Sequence, residues 1–203
     1  MVPCPGPFRR RLETWSIWVR NNLDDTRREI DCRITFCSHI ILALSTETIS
    51  LRLNFFSGAI PDVFAAMPRL NFFDLSDNEL SGNIPSTIFL SPDLEIVYLA
   101  NNTLSGPIPP SYSTPPNLKD LYLDGNQLTG TIPGLAQPGQ LTHLQEFLLQ
   151  LNNLGGSMPA SVCQLTEFGQ GGRLIRLFAD CGGADPKVGC DFPTCCDRCF
   201  PES

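Results

Sequence analysis

One phrase of thirteen residues is written five times in this chain. The copies are ISLRLNFFSGAIP (Ile49–Pro61), FDLSDNELSGNIP (Phe73–Pro85), VYLANNTLSGPIP (Val97–Pro109), LYLDGNQLTGTIP (Leu121–Pro133) and FLLQLNNLGGSMP (Phe147–Pro159). Asn54, Asn78, Asn102 and Asn126 are spaced by 24 residues, and Asn152 follows 26 later, after an insertion at Gln137-Pro138-Gly139-Gln140. A sixth, altered copy, LIRLFADC, runs from Leu174 to Cys181. A unit this short cannot bury its apolar side alone, so the copies must stack into a solenoid with a continuous core and capped ends.

Each recurring position has a physical role. The first and third residues of a phrase, such as Phe73 and Leu75 or Leu121 and Leu123, point inward from a short strand, and the residue between them points out. Apolar residues at three-residue intervals before the strand, such as Phe64, Met67 and Leu70, suit a 3₁₀-like or extended return path. The closing proline takes the chain out of the sheet, and the glycine three residues before it (Gly58, Gly82, Gly106, Gly130, Gly156) allows a tight bend. The asparagines Asn54, Asn78, Asn102, Asn126 and Asn152 can donate and accept at once. They are expected to bond their own coil and the next, as a structural ladder. Aligning LIRLFADC on the phrase puts Asp180 at the ladder position, at an end with no following coil that needs a donor. Asp180→Asn is therefore expected to bring no substantial gain in stability.

Composition narrows the function. A net charge of −7 argues against nucleic acid, whose phosphates need clustered Lys and Arg. No stretch reaches the ~18 apolar residues of a membrane span. The nine cysteines avoid the repeats: Cys4, Cys32 and Cys37 precede them, and Cys163, Cys181, Cys190, Cys195, Cys196 and Cys199 lie at or beyond the last full copy. Such usage fits an oxidising compartment. Cys32, Cys37, Cys163, Cys181, Cys190, Cys195, Cys196 and Cys199 are the candidate disulfide cysteines, with the pairing open. Zinc is the weaker reading of the tail, because only Cys196 and Cys199 have C-x2-C spacing. Met1 to Trp18 contains no apolar segment of signal-peptide length. The first 40 residues are accordingly expected to be truncated or mis-joined, with a short cap helix packing Trp15 and Trp18 on the first coil.

The phrase LxxLxLxxNxLxGxIP resembles the plant-type subfamily of leucine-rich repeats, found in receptor-kinase ectodomains and polygalacturonase-inhibiting proteins. The tail from Ala179 to Phe200 is similar to the cysteine-rich ending of diatom leucine-rich-repeat proteins. CRITFC, Cys32 to Cys37, departs from the family's N-terminal cap in having no tryptophan between its cysteines. The resemblance implies an α/β, β-dominated solenoid. It has a short parallel sheet on one face, 3₁₀ or extended segments on the other, and a Cys-stapled C-terminal cap. The expected organisation is a cap region over 1–45, repeats over 46–180 and a Cys-rich tail over 181–203.

The outward strand residues should then form columns. The central one runs Ser50, Asp74, Tyr98, Tyr122, Leu148, Arg176. The one before it runs Thr48, Phe72, Ile96, Asp120, Glu146, Leu174, and the one after it Arg52, Ser76, Ala100, Asp124, Gln150, Phe178. Grouped exposed aromatics are typical binding anchors, although aromatics also favour strands without any ligand. The candidate ligand face is Phe72, Asp74, Tyr98, Asp120, Tyr122, Asp124, Glu146, Leu148 and Arg176, and its carboxylates suggest a basic peptide or protein. Asn101 heads the sequon Asn101-Asn102-Thr103 and is a candidate glycosylation site. His39 and His143 have no nucleophile that the sequence places nearby, and no cofactor or metal is implied. The expected function is non-catalytic recognition of a protein, peptide or glycan, outside the cell or at its surface. The alternatives are an adhesive wall or matrix protein and an inhibitor of a secreted hydrolase.

Overall fold

The computed structural model describes residues 47–137, 139–166, 173–180 and 188–189, together with the backbone of Trp18–Arg20 and Arg198–Cys199. Among these the chain order is β1 (Trp18–Arg20), β2 (Thr48–Ser50), β3 (Ser57–Ala59), β4 (Phe72–Asp74), β5 (Glu79–Asn83), β6 (Ile96–Tyr98) and β7 (Thr103–Gly106). It continues with β8 (Asp120–Tyr122), β9 (Gln127–Thr131), β10 (Glu146–Leu148), β11 (Asn153–Ser157), β12 (Arg176–Ala179), β13 (Val188–Gly189) and β14 (Arg198–Cys199). Every full coil contributes one strand to each of two sheets. The first has the order β1-β2-β4-β6-β8-β10-β12-β14 and the second β13-β11-β9-β7-β5-β3.

Pairing is parallel throughout except at the start, where β1 lies antiparallel on β2 with Trp18 opposite Ser50. Trp18 is thus in a strand, not in the cap helix expected for it. The physical reason is the open edge of the first coil, whose N–H and C=O groups need a partner. The second sheet was not anticipated. It forms from the LxGxIP half of each phrase, where glycines in the left-handed region (Gly82 at φ +76°, Gly106 at φ +75°) bend the chain away from the first sheet. Gly106 has a further constraint, because a β-carbon there would lie 2.4 Å from Asn83 Oδ1.

The return paths are short 3₁₀ turns at Phe64–Ala66, Ser86–Leu90, Pro110–Ser113 and Gln164–Thr166, as their three-residue apolar spacing predicts. There are two exceptions: the path before β10 is a turn over 139–143 without a 3₁₀ helix, and α1 (Ala160–Cys163) is one turn of α-helix before the last of them. Inward strand residues and return-path residues form one core, with Phe64 edge-on to Phe73 at 4.9 Å and Tyr112 stacked on Phe147 at 5.5 Å. Cys163 is buried at the end of α1 and disulfide-bonded. Cys32, Cys37, Cys181, Cys190, Cys195 and Cys196, together with His39 and Trp15, lie outside the described residues, as does the side chain of Cys199.

The asparagine ladder runs through the coils, but it points the other way from the expected direction. Asn102 Nδ2 donates to Leu99 O and Ala100 O of its own coil and to Leu75 O of the preceding one, all within 3.0–3.2 Å. Its Oδ1 accepts the Leu80 N–H, again from the preceding coil, at 3.0 Å. Asn78, Asn126 and Asn152 repeat the pattern. Leaving one buried carbonyl or N–H unmet costs about 1–3 kcal/mol, and each amide spares two coils several such groups.

The sixth copy sits two residues out of the expected alignment. Arg176 pairs with Glu146 and Phe178 with Leu148, so Asp180 takes the position of Gln150 and not that of Asn152. Burial sets this register. Leu174 is 2% exposed and plays the part of Leu70, Leu94, Leu118 and Leu144, each two residues before its strand, while Ile175 is left 58% exposed. Leu174 is therefore a core residue and not a member of an outer column. Asp180 still closes the ladder, by another route: Oδ1 accepts Leu151 N at 2.8 Å and Oδ2 accepts Asn152 N at 3.0 Å. In earlier coils those two N–H groups are met by backbone carbonyls, as Asn101 N and Asn102 N are by Asp124 O and Gly125 O.

The residue just before each ladder asparagine adopts the left-handed region: Leu53, Asp77, Asn101, Gly125 and Leu151 have φ between 53° and 64°. Asp, Asn and Gly accept this conformation, whereas a leucine there is strained by about 1–2 kcal/mol. At Gly125 a β-carbon would meet Asn101 Oδ1 at 2.4 Å, so a side chain there would require the Asn101 amide to move.

Two stability measurements follow from this geometry. Asp180→Asn keeps one acceptor but turns an NH2 toward the other N–H, and is expected to lower unfolding stability by about 1–2 kcal/mol in denaturant titration. An unchanged or raised stability would contradict the two-acceptor role. Leu151→Asn relieves the left-handed strain at an exposed position and is expected to gain about 1 kcal/mol in the same experiment.

Candidate functional site

The outer face of the first sheet is built by alternation. Inward Phe73, Val97, Leu121 and Phe147 are fully buried, which forces Phe72, Tyr98, Tyr122 and Leu148 outward as half-buried side chains. Parallel pairing sets Asp74 beside Tyr98, Tyr98 beside Tyr122 and Tyr122 beside Leu148. The corrected column ends on Phe178, while Arg176 joins the column of Asp120 and Glu146.

The aromatics form one continuous run. Phe72 meets Tyr98 edge-on at 6.0 Å, and Tyr98 stacks on Tyr122 at 4.3 Å with an interplanar angle of 27°. Each phenol reaches one coil forward to a carboxylate: Tyr98 OH donates to Asp120 Oδ2 at 3.3 Å, and Tyr122 OH donates to Glu146 Oε2. Glu146 Oε1 in turn pairs with Arg176 Nη2, so the network ends on a cation. Partial burial, aided by the Asp120 charge, pushes the Tyr98 phenol up to about 12, and burial with the Glu146 contact raises Tyr122 as well. Both therefore stay protonated donors at neutral pH.

Not every expected member faces a ligand. Asp74 is 5% exposed and is consumed locally, with Oδ1 accepting Ser76 N at 3.0 Å and Ser76 Oγ at 2.7 Å. Asp124 is half-buried, and its Oδ1 is buried without a hydrogen-bond donor. Gln150 occupies the same position on the next coil, is 9% exposed, and its Oε1 likewise lacks a donor. Gln150 was absent from the expected face. The signal available was its place in the same column as Asp124.

Burial raises the carboxyl pKa of both Asp120 and Asp124, with the Glu146 charge adding to the rise at Asp120. Asp77 moves down, chiefly because Asn101 Nδ2 donates to it at 2.9 Å, with Arg52 as a further partner at 3.0 Å. Asn101 is exposed at the rim, as its sequon requires, but its amide is engaged by Asp77. His143 is exposed on a return path with Nδ1 3.2 Å from Pro116 O. Among the described residues no group of His, Cys, Asp and Glu is arranged to hold a metal, and no helix is long and apolar enough to cross a membrane.

A raised folded-state pKa means that ionising Asp120 works against folding: stability is greater below the folded pKa and declines as pH rises through it. Asp120→Asn should therefore melt above the parent at pH 7, with the gap closing as pH falls through the carboxylate range. A variant that melts lower at pH 7 would show that the Tyr98 hydrogen bond outweighs desolvation there.

Comparison with known proteins places this architecture. Residues 69–90, 93–114 and 117–137 match the Leucine Rich Repeat family. No curated protein matches the chain. Among solved structures, Pollen Receptor Kinase 3 is 33% identical with a TM-score of 0.59, covering 76% of this chain and 69% of its own. A plant ice-binding protein is 26% identical with a TM-score of 0.62, covering 81% of this chain and 52% of its own. The plant peptide hormone receptor RGFR1, solved in complex with RGF2, is 28% identical with a TM-score of 0.59 over 63% of this chain. The match covers 20% of that solved chain. The repeats, the ladder and these likenesses agree that the chain belongs to the plant-type leucine-rich-repeat proteins.

Proposed function

We propose that the chain is a non-catalytic recognition module, working outside the cell or at its surface, that binds a protein or peptide across the first sheet. The observation that carries this reading is the half-buried Phe72–Tyr98–Tyr122 run lying against Asp120 and Glu146. Rigid aromatics give large contact area at little entropic cost, and their phenols are already held in place by the carboxylates. The peptide partner of RGFR1 supports the same choice of ligand class. Oxidising cysteine chemistry supports the location, and Cys163 is disulfide-bonded.

A second reading attaches to the other sheet. Its described strands carry Ser57, Ser81, Ser105 and Thr129 at the same place in successive phrases, each stepped two residues from the last by the pairing register, and Glu79 is the single charged residue among them. Small hydroxyls on a face with a single charge suit ordered water, and the plant ice-binding protein supports this as an alternative.

The oxidised chain, used as bait for secreted proteins, peptides and wall polysaccharides of its source, separates the two readings. Capture of a protein or peptide by the parent, lost in a folded Tyr98→Ala/Tyr122→Ala variant, is the expected result. Equal capture by both would sink the aromatic face, and capture of a polysaccharide alone would change the ligand class. Inhibition of ice recrystallisation that survives the double substitution would move the function to the second sheet.

A further inference from the structure

Within the face proposed above, and resting on that reading, we infer a seat for one arginine side chain of the bound peptide, between Tyr122 and the Asp124–Gln150 pair. Four observations converge on it. Asp124 Oδ1 and Gln150 Oε1 are both buried acceptors without a donor, where buried polar atoms are ordinarily paired. Gln150 is nine-tenths buried, so its unpartnered amide oxygen is costly as it stands. The two residues hold the same position on adjacent coils, as the pairing of Tyr122 with Leu148 and the Gly125 N–H bond to Gln150 O require. Neither Asp120 nor Asp124 has a salt bridge among the described residues; Arg176 pairs with Glu146 and Lys119 with Glu95.

An arginine matches this set of groups. Acceptors on neighbouring coils are separated by about the 4.8 Å strand spacing, which a planar guanidinium with five donors can span. Tyr122 and Asp124 are successive outward residues on one chain, about 6.6 Å apart, so the tyrosine face lies where a cation–π contact adds to the ion pair. Ionised Asp124 is disfavoured chiefly by its own burial, opposed by a backbone hydrogen bond and reinforced by the Asp77 charge, and an incoming cation favours the ionised form.

A rival account stays inside the protein. Turning over the Gln150 amide would bring Nε2 toward Asp124 and supply the missing donor. The two accounts predict different results for the same experiment. The probe is a pool of N-acetylated, C-amidated hexapeptides with one central arginine and the other positions randomised. The control is the same pool with citrulline, which keeps the shape and removes the charge. Both are captured on the immobilised full chain, oxidised, at low and high salt.

The expected result is retention of the arginine pool about tenfold over the citrulline pool, falling toward unity in Asp124→Asn and in high salt. Asp124→Asn is nearly isosteric, and its melting curve checks that it is folded. Gln150→Leu is expected to lose part of the preference as a second, independent variant. Equal retention of the two pools, or a preference unchanged by Asp124→Asn, overturns the arginine seat in favour of the internal amide contact. If that equal retention is still abolished by Tyr98→Ala/Tyr122→Ala, the aromatic face survives and only the seat is lost. Retention of neither pool by the parent overturns the seat, and the capture of secreted ligands then decides the face separately.

Discussion

The structure depends on one way of meeting backbone hydrogen-bonding groups. A coil that turns out of one sheet into another exposes carbonyls and N–H groups at the corner, away from water and beyond the reach of either ladder. A single buried amide solves this, because Nδ2 can serve three carbonyls while Oδ1 accepts an N–H. Hydrophobic burial stacks the coils, but it is non-directional and would tolerate sliding. The asparagines fix the register, and the register aligns the outer columns. Tyr98 stacks on Tyr122 because Asn102 and Asn126 hold their coils one strand spacing apart.

The candidate site is a by-product of that alignment. The same period that sets identical inward residues on each other sets unlike outward residues side by side, so the outer face varies freely while the core repeats. In coils three to five this freedom yields two tyrosines, three carboxylates and a glutamine in one patch. Each phenol leans on the acid of the following coil, which fixes the rings and leaves the acids partly desolvated. Stability is given up locally, and a face poised to accept positive charge is what remains.

Much of this was legible in the sequence. Phe73-x-Leu75 alternation identified the first sheet, and the fixed glycines and prolines marked its exits. The less legible parts have specific physical causes. The second sheet forms from segments such as LSGN and LTGT, whose glycines and small polar residues carry no strand signal of their own; stacking imposes their pairing. The direction of the ladder is invisible because an amide looks the same from either side. The sixth copy offers two leucine frames, and only the burial of Leu174 selects between them. Asp74 drops out of the face because Ser76 lies two residues on and claims its carboxylate. Gln150 enters because its neighbour lacks a donor, which no composition or spacing reveals.

Because each asparagine reaches back, a coil is completed by the one made after it. The chain is thus built like masonry in which every course is keyed by the next, and order accumulates in the direction of synthesis. The newest coil always has open groups at its corner until its successor arrives. Asp180 ends this succession. With two acceptors and nothing to donate, it takes the last pair of N–H groups and passes no such need onward through its side chain. The amide succession thus closes on a carboxylate set two residues before the ladder position, while strand pairing of the first sheet runs on to β14 without it.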